Sequence, residues 1–588
     1  MTREKYNCNN TSEHATIISD IIGKTIESGK YPITMDEFWF SIIPGKIIGP
    51  FDFISVENIY NTVTIGIVKE LRTIKRSDVT ISSQHSEQNY SLIDNPNNKE
   101  NYVNQGIRIA RVAVMTNAHI NNIHSDSKIT TGMNIRMPVD IDKEVRFANE
   151  KEILIALGIP KMEDPVMAGI IEMTNGQQVA IPIAMSYLAG PDTAHINATG
   201  VSGNFKTSYL MFLLHSMYQK LVKNKEVAII IFNTREDDLL HIHEREENIT
   251  ERDGRLYKNL QISPDPFDNV TYFLPRGKDG KPISVHVPSN FHTYSFELRD
   301  IYDRLDLLLS SESYDPRYNL YAIINYIYES WPLKDKSGNV VNSWSDLLRY
   351  VDYPPEIVGY KSMYLHFLRY LQKFKRSSLF TDKRETSIYI GNEITKIKGG
   401  DVYVIDIAMI PTLEVQSLVI GDVMKNIDEL YSSRYSFEEE QDYLDQESKN
   451  GIKINRESKH SKPKYILIFI DEINRFLPPT YYSLGQRSPV AEQIIKTIIT
   501  GKSRNTILLS AQQFKSAVDP VLHENTGIHM IAKLGLSELS TSSYSMLDDI
   551  TKGNIAQMDK GEIVMIQPAI RYPVKVVFPR PPFKRPSR

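Results

Sequence analysis

Apolar and polar positions follow two different patterns along this chain. Between residues 31 and 190 the apolar residues form short β-branched runs broken by Gly, Pro and Asn, such as "FDFISV", "TVTIGIVKEL" and "IRIARVAVM". This pattern predicts a small β-barrel or sandwich. The segment "MAGIIEMTNGQQVAIPIAM" predicts a hairpin with Asn175 and Gly176 at the turn. The polar stretch from Ser82 to Tyr102 predicts a long surface loop.

The pattern changes after residue 190. "VAIIIF", "YILIFI" and "TILLSA" are continuous apolar runs, which are typical of strands buried on both faces of a parallel sheet. "KTSYLMFLLHSMYQKLV" has apolar residues at helical spacing, and so do "FELRDIYDRLDLLLSS", "YNLYAIINYIYESW" and "MYLHFLRYLQKF". These segments predict an α/β core interrupted by a helical insertion. The charged stretch "EEEQDYLDQESKNGIKINRESKHSKPK", which includes the run Glu438–Glu440, predicts a solvated loop.

Six segments follow from these changes of pattern. They are a polar leader (1–30), a β-barrel-like N-terminal domain (31–190), a first part of the α/β core (191–290), a helical insertion (291–395), a second part of the core (396–570) and a C-terminal tail (571–588).

Composition narrows the class of protein. The chain has 588 residues, 41% of them hydrophobic and 24% charged, with a formal net charge of −4. These values are typical of a soluble multidomain protein, and they exclude a surface that is basic overall. The single cysteine, Cys8, excludes an internal disulfide and a cysteine cluster for zinc. Since neither a signal peptide nor a membrane-spanning run is visible, we expect a cytoplasmic protein without a membrane partner.

The stretch "GVSGNFKT" resembles a phosphate-binding loop. The pattern G-x-x-x-x-G-K-[ST] is matched by Gly200, Lys206 and Thr207, but Phe205 stands in place of the second glycine. The loop lies between a predicted strand and a predicted helix, where backbone N–H groups and the helix dipole favour a phosphate. Lys206 is then expected to reach the β- and γ-phosphates of ATP, and the Thr207 hydroxyl to bind Mg²⁺. Taken alone, the loop is also compatible with a capped helix that carries an incidental lysine.

The predicted nucleotide-binding residues are the whole loop and the first turn of the helix. They are Gly200, Val201, Ser202, Gly203, Asn204, Phe205, Lys206, Thr207 and Ser208.

Two acidic residues end the apolar strand "YILIFI". A strand buried on both faces has no use for Asp471 and Glu472 at its carboxyl end unless they face a ligand there. We therefore expect Asp471 to hold Mg²⁺ and Glu472 to polarise the attacking water. The combination of this strand end with the phosphate loop predicts an ATPase site.

A third segment, "GKSRNTILLSAQQF", offers further catalytic candidates. Gln513 follows the strand and is positioned to sense the γ-phosphate or to orient water. Lys502 and Arg504 lie in the basic turn before the strand. Either is a candidate to reach the nucleotide of a neighbouring subunit as an arginine-finger-type residue, and a solvated basic turn is the alternative.

Two other clusters have simpler interpretations. "HIHEREE", with His241, His243 and Glu244, is interpreted as an exposed charged segment rather than a metal site. The basic residues of "LQKFKRSSLFTDKRE" are interpreted as a solvated helix end, with a DNA-contacting face as the alternative. They are Lys373, Lys375, Arg376, Lys383 and Arg384.

With these motifs in hand, the chain resembles the HerA-type branch of the HerA/FtsK superfamily of hexameric ATPases. The matching segments are "AHINATGVSGNFKTSYLMFLL", "AIIIFNTREDDLLHI", "GGDVYVIDIAMI", "YILIFIDEINRFLP", "TGKSRNTILLSAQQF" and "YPVKVVFPRPPFKR", in the family's order across residues 190 to 588. The resemblance implies a RecA-like P-loop ATPase core and a homohexameric ring, with ATP sites between subunits and a channel for double-stranded DNA. It also implies the roles given above for Lys206, Thr207, Asp471, Glu472 and Gln513, with Arg504 as the finger.

The chain departs from the family at two positions. Phe205 replaces a loop glycine, and Asn233 stands where many relatives carry an acid, which leaves Glu236 as the acid to consider there. Slow or partner-dependent hydrolysis is the expected consequence.

Two functions compete under this resemblance. The first is an ATP-hydrolysing DNA translocase or helicase-like motor that works with a separate effector, a nuclease or a sirtuin-like NAD-consuming enzyme, in DNA processing or anti-phage defence. The second is an ATP-regulated ring scaffold that assembles and switches the effector with little translocation of its own. A secretion or conjugation motor is disfavoured because no membrane segment is visible in the sequence.

Overall fold

The architecture was obtained as a computed structural model. It describes residues 21–75, 106–119, 137–159, 162, 165–189, 194–201, 203, 206–221, 225–311, 319–354, 361–375, 377–448, 463–479, 487–501 and 503–585. The chain divides into two compact units. The first contains Met1–Pro160 and Met173–Gln177, and the second contains Lys161–Glu172 and Gln178–Arg588.

The first unit contains a closed β-barrel. Its apolar runs alternate between a packed interior and the outside, and Phe38, Phe40, Ile54, Val56 and Val112 lie in its core. The strands pair around the barrel in the order β1-β2-β5-β4-β3-β6. They are β1 (Ile21–Ile26), β2 (Glu37–Ile42), β3 (Phe53–Asn58), β4 (Thr62–Lys75), β5 (Gly106–His119) and β6 (Glu144–Phe147).

A short helix, α1 (Glu150–Ala156), follows β6. Asn149 and Glu152 form a capping box at its start, in which each side chain accepts a hydrogen bond from the other residue's backbone N–H.

The second unit is built on a sheet of twelve strands among the described residues. Their order across the sheet is β12-β11-β13-β10-β14-β15-β9-β16-β17-β18-β7-β8. They are β7 (Pro165–Glu172), β8 (Gln178–Ala184), β9 (Ala194–Thr199), β10 (Val227–Asn233), β11 (Val270–Pro275), β12 (Phe291–Tyr294), β13 (Val402–Asp406), β14 (Tyr465–Ile470), β15 (Thr506–Gln512), β16 (Thr526–Ile531), β17 (Glu562–Ile566) and β18 (Val574–Val577).

The pairs from β12 to β16 are parallel, and the pairs from β16 to β8 are antiparallel.

Helices connect these strands and cover the sheet. The α-helices are α2 (Met185–Ala189), α3 (Lys206–Leu221), α4 (Glu251–Leu260), α5 (Leu298–Ile301), α6 (Asn319–Glu329), α7 (Trp344–Leu347), α8 (Lys361–Lys375), α9 (Ile390–Ile394), α10 (Leu413–Ser448), α11 (Pro489–Thr500), α12 (Pro520–Glu524), α13 (Leu536–Leu539) and α14 (Asp549–Gln557). Single 3₁₀ segments occur at Leu305–Ser311, Ile473–Arg475, Lys515–Ala517 and Ser542–Tyr544.

The strand order identifies the type of α/β core. β9 precedes the glycine loop and β14 precedes the two acids, yet they are not neighbours, because β15 lies between them. All residues of β10 and β15 are buried, as expected for strands covered on both faces. The second unit is thus a RecA-like P-loop fold in which β9, β15, β14 and β10 end side by side at one edge, and ligands of open α/β sheets bind at such an edge.

The helical insertion packs on the same core as the sheet. Ile323 of α6 and Trp344 of α7 belong to one buried cluster with Phe232 of β10, Ile468 of β14 and Leu418 of α10. The insertion is therefore part of the second unit rather than a separate domain.

Several predicted boundaries differ from the structure. β1 begins at Ile21, inside the segment predicted to be a polar leader. The pattern did not reveal this strand because "IIGKTI" is short and lies between polar residues. The predicted hairpin around Gly176 is present, but β7 and β8 belong to the second sheet rather than to the barrel. β12 makes residues 291–294 a strand rather than the start of the helical insertion.

Two more segments fold where a loop or a tail was expected. β18 lies in the predicted C-terminal tail and pairs with β17. α10 continues to Ser448, through the first part of the predicted charged loop, since that part contains helix-forming residues and neither Gly nor Pro. The predicted surface loop from Ser82 to Tyr102 lies outside the described residues.

Candidate nucleotide site

The glycine loop joins β9 to α3 in the second unit. A Cβ atom on Gly200 would lie 2.7 Å from the Cβ of Ala532, so only glycine allows β9 to end this close to the chain after β16. Gly203 has a φ of +81°, a conformation that glycine adopts without strain. Ser202, Asn204 and Phe205 lie outside the described residues, so their contacts with phosphate stay predictions.

Lys206 and Thr207 begin α3 and bring the loop to the acidic strand end. The Thr207 Oγ1 donates a hydrogen bond of 2.7 Å to the Asp471 Oδ2, although the two residues are 264 positions apart. Burial raises the pKa of Asp471, while Thr207 and the positive charge of Lys206 act in the opposite direction. Burial likewise lowers the pKa of Lys206, and the Asp471 carboxylate opposes this change.

Glu472 has an unusual backbone and an ionic partner. Its φ is +51°, in the left-handed region that non-glycine residues rarely adopt and that is often found at functional sites. Its backbone N–H donates to the Asp471 Oδ1 at 2.9 Å. Its side chain forms an ion pair with Arg235, which follows β10. The turn thereby directs the two neighbouring carboxylates differently, Asp471 toward Thr207 and Glu472 toward Arg235.

A buried polar network lies beside this ion pair. The Asn233 Nδ2 donates to the Asp406 Oδ1 at 2.9 Å and to the Glu236 carbonyl at 2.7 Å. The Ser284 Oγ donates to the Asp406 Oδ2 at 2.6 Å. Burial raises the pKa of Asp406, and the hydrogen bonds from Ser284 and Asn233 offset only part of this increase. Asp406 was missed by sequence reasoning, although an acid that ends the apolar strand "VYVI" was a usable signal.

The glutamines after β15 have different environments. Gln512 is fully buried, and its amide exchanges two hydrogen bonds with Asn197 of β9, at 2.7 and 2.8 Å. Sequence reasoning missed this pair, and the polar Asn197 inside β9 was its signal. Gln513 is half-buried just past the end of β15, which lies between β9, the strand before the glycine loop, and β14, the strand before the two acids. Its proposed role stays a prediction.

Arg504 lies at the amino end of β15, whereas the glycine loop lies at the carboxyl end of the neighbouring strand β9. Its Nη1 pairs with the Asp428 Oδ1 at 2.6 Å, and the Lys496 Nζ lies 3.0 Å from the other oxygen. Within one chain Arg504 therefore serves a structural ion pair, and a role as a finger for a neighbouring subunit stays a prediction. Lys502 lies outside the described residues.

The basic residues proposed as a solvated helix end or a DNA face are partly engaged in ion pairs. The Lys373 Nζ lies 2.7 Å from the Glu414 Oε1, and the Arg384 Nη2 donates to Asp300. Lys383 is exposed. Arg376 and the side chain of Lys375 lie outside what the structure describes.

The segment around His241, which was predicted to be exposed, is only partly exposed to solvent. His241 is 8% exposed at its side chain and contacts Glu244, while the His243 Nδ1 lies 2.6 Å from the Tyr272 Oη. The prediction of a solvated segment is wrong for His241, because the chain between β10 and α4 packs against the loop that contains His286.

No protein-family model matches the chain, and no curated protein matches it. Among solved structures, the chain is similar to the bacterial conjugative coupling protein TrwBdeltaN70, with 11% identity, a TM-score of 0.39, and coverage of 69% of this chain and 90% of that chain. It is also similar to EssC (ATPases 2 and 3) from Geobacillus thermodenitrificans, with 10% identity, a TM-score of 0.27, and coverage of 73% of this chain and 46% of that chain. The genome packaging NTPase B204 from Sulfolobus turreted icosahedral virus 2 matches with 10% identity and a TM-score of 0.21, over 33% of this chain and 73% of that chain.

In the part of the chain that the structure describes, every helix is too short or too polar to cross a membrane.

Proposed function

We propose that the second unit binds and hydrolyses ATP with Mg²⁺. The observation that carries this proposal is the 2.7 Å hydrogen bond between Thr207, at the start of the helix after the glycine loop, and Asp471, at the end of β14. It brings a hydroxyl oxygen and a buried carboxylate oxygen together beside a lysine, and hard oxygen ligands of this kind suit Mg²⁺.

Each side chain has a distinct task in this proposal. Thr207 and Asp471 would hold Mg²⁺, which supplies charge neutralisation on the phosphates when bound. Lys206 neutralises the β- and γ-phosphates from the amino end of α3, where the backbone N–H groups also face the anion. Glu472 orients a water molecule and accepts its proton, and Gln513 contacts the γ-phosphate or that water. Glu472 has to leave Arg235 before it can accept the proton.

Two variants and a control test this assignment. Lys206→Ala should abolish tight ATP binding, whereas Glu472→Gln should keep binding and lower hydrolysis by about 10²-fold, the usual contribution of a general base. Glu524→Gln, the same change at an exposed residue of α12, should leave both unchanged. Equal losses of ATP affinity in the Lys206 and Glu472 variants would remove the role given to Glu472.

At a finer level, we infer that the chain works as a homohexameric DNA motor of the HerA type beside a separate effector. The support is the order of the motifs along the chain. Mixing Arg504→Ala subunits with Lys206→Ala subunits should restore part of the hydrolysis, because some interfaces would then pair an intact loop with an intact finger. A protein that stays monomeric with ATP at micromolar concentration would contradict the shared site.

The response of ATP hydrolysis to DNA distinguishes a motor from a ring scaffold. A motor should hydrolyse ATP faster with double-stranded DNA, and the stimulation should fall steeply with salt, since phosphate contacts release counterions. Stimulation by a co-purified nuclease or NAD-consuming enzyme alone would instead favour the ring scaffold.

A further inference from the structure

Three side chains outside the nucleotide site converge in the second unit. They are His241 and Glu244, from the segment between β10 and α4, and His286, from the segment between β11 and β12. The His241 Nδ1 lies 2.8 Å from the Glu244 Oε1, and the His286 Nε2 lies 3.7 Å from the same oxygen. Among the described residues this is a group whose three ligand atoms all lie within 4.8 Å of one another.

We propose that His241, Glu244 and His286 form a binding site for one divalent transition-metal ion of the Zn²⁺ type. Two imidazole nitrogens and a carboxylate oxygen are a donor set that Zn²⁺ takes at about 2.0–2.2 Å. Tetrahedral geometry at such bond lengths separates neighbouring ligand atoms by about 3.3 Å. The separations of 2.8 and 3.7 Å lie on either side of this value, so small side-chain rotations suffice.

The second nitrogen of His241 supports this assignment. Its Nε2 lies 3.4 Å from the Asp237 Oδ2, so His241 stands between two carboxylates. A neutral imidazole has one N–H and cannot donate to both. A cation at the Nδ1 lets the Nε2–H point at Asp237, which is the carboxylate–histidine–metal arrangement that orients many metal ligands.

The burial pattern of the segment that contains His286 independently supports a metal site. In "ISVHV" the apolar residues Ile283, Val285 and Val287 are exposed, while Ser284 and His286 are partly buried. The alternation is thus inverted relative to the ordinary burial of valine and isoleucine. Ser284 is held by Asp406, whereas His286 lies against the His241 ring, 4.0 Å away between centroids, and 3.7 Å from the Glu244 carboxylate, with the charges of Asp237 and Lys584 nearby. A bound ion would supply the attraction that keeps His286 turned inward.

The site would join three separate pieces of chain. Glu244 also binds the C-terminal region, where the Lys584 Nζ lies 2.8 Å from its Oε2 and the Lys584 N–H donates to its backbone carbonyl at 2.9 Å. The segment between β10 and α4 also contains Arg235, the partner of Glu472, six residues before His241. A metal ion here would fix the segment that follows β10. This inference does not depend on the proposed ATPase activity.

The test is Zn²⁺ binding by the full-length chain. The parent protein and the His286→Ala variant are both stripped with EDTA and then dialysed against Zn²⁺. The parent should retain one more Zn²⁺ ion per chain than the variant. Mass spectrometry of the metal gives the number of ions, and competition with a chromogenic chelator gives the affinity. Loss of one ligand should weaken the affinity at least as much as loss of an orienting partner, about 10–100-fold. His243→Ala and His292→Ala should bind like the parent, since His243 contacts Tyr272 instead and His292 is exposed.

Thermal unfolding separates binding from folding. In EDTA the parent and His286→Ala should unfold at the same temperature, and Zn²⁺ should raise the midpoint of the parent alone. Zinc retained equally by the parent and His286→Ala would overturn the proposal, and so would a parent that retains none. Both results would mean that His241 is held by its contacts with Asp237 and Glu244 alone.

Discussion

In the mechanism proposed above, the ion pair between Arg235 and Glu472 slows ATP hydrolysis, so we expect removal of the arginine charge to accelerate it. Glu472 cannot accept a proton from water while the Arg235 guanidinium occupies its carboxylate. Two unit charges in contact attract by about 4 kcal/mol at an effective dielectric constant of 20. The side chains are 36% and 20% exposed, which places the pair between that value and the ~0.2–1 kcal/mol of fully exposed pairs. We therefore take about 1–2 kcal/mol as the cost of separating them.

That cost corresponds to a roughly 5–30-fold change in rate. Arg235→Met keeps the aliphatic stem and removes the charge, so its single-turnover hydrolysis should be about 5–30-fold faster than that of the parent at saturating ATP. Arg235→Lys keeps the charge and should remain within a few-fold of the parent, about the uncertainty of one surface ion pair. The double variant Arg235→Met/Glu472→Gln should show no acceleration. A fall of tenfold or more in Arg235→Met, with ATP affinity unchanged, would refute this reasoning and make Arg235 a cation that stabilises the transition state.

Three further outcomes are expected. Thr207→Val should weaken Mg²⁺-dependent ATP binding by about 10–100-fold, as loss of a hydrogen bond to a charged group does, while Thr207→Ser should not, in a Mg²⁺ titration of nucleotide binding. Burial lowers the pKa of His195 to about 4, so on acidification the unfolded chain binds a proton at this residue before the folded chain does. The contribution of neutral His195 to the free energy of unfolding is therefore complete above pH 6.5 and falls by about 1.4 kcal/mol per pH unit toward pH 4. His195→Asn, which tolerates the same positive φ, should reduce the slope of the unfolding midpoint against pH. Arg304→Met strands the buried Asp422 carboxylate and should cost about 3–5 kcal/mol in urea unfolding, most of which the double variant Arg304→Met/Asp422→Leu should recover.

The sequence was most informative where local pattern and chemistry coincide. β10 and β14 were recognisable because continuous apolar runs have few interpretations, and Asp471 because a carboxylate is costly at the end of such a run. Their proximity to Thr207 depends on the order of strands in the sheet, which the motif order implies only through the family resemblance.

Long-range pairing accounts for what sequence reasoning missed. His286 lies 45 residues from His241, and nothing in "ISVHV" alone shows that its polar face turns inward. The partner of Glu472 was not foreseen either, because Arg235 belongs to a charged turn whose side chains are exposed by default. The exchange between Asn197 and Gln512 likewise requires β9 and β15 to be neighbours, which is a property of the sheet and not of either segment.

The hairpin β7–β8 determines where the chain can be shortened. β7 precedes α3 by more than thirty residues, yet its backbone carbonyls hold that helix: the Tyr209 Oη donates to the Ala168 carbonyl at 2.9 Å, and the Ser216 Oγ donates to the Met167 carbonyl at 2.8 Å. Tyr209 is fully buried and lies two residues after Thr207 in the first turns of the helix. Loss of β7 would remove both acceptors, expose the apolar residues of α3 that the strand covers and open the sheet beside β18.

A deletion of residues 1–160 should therefore leave a second unit that folds and binds ATP, whereas a deletion of residues 1–185 should lose both properties. The first ends before Pro165, where β7 begins, and the second removes β7 and β8 entirely. Circular dichroism and ATP binding of the two proteins, purified in parallel, measure the difference. If the shorter protein binds ATP as well as the longer one, the hairpin is an accessory of the sheet and α3 does not need it. That result would also restore the boundary at residue 190 that the sequence pattern alone suggests.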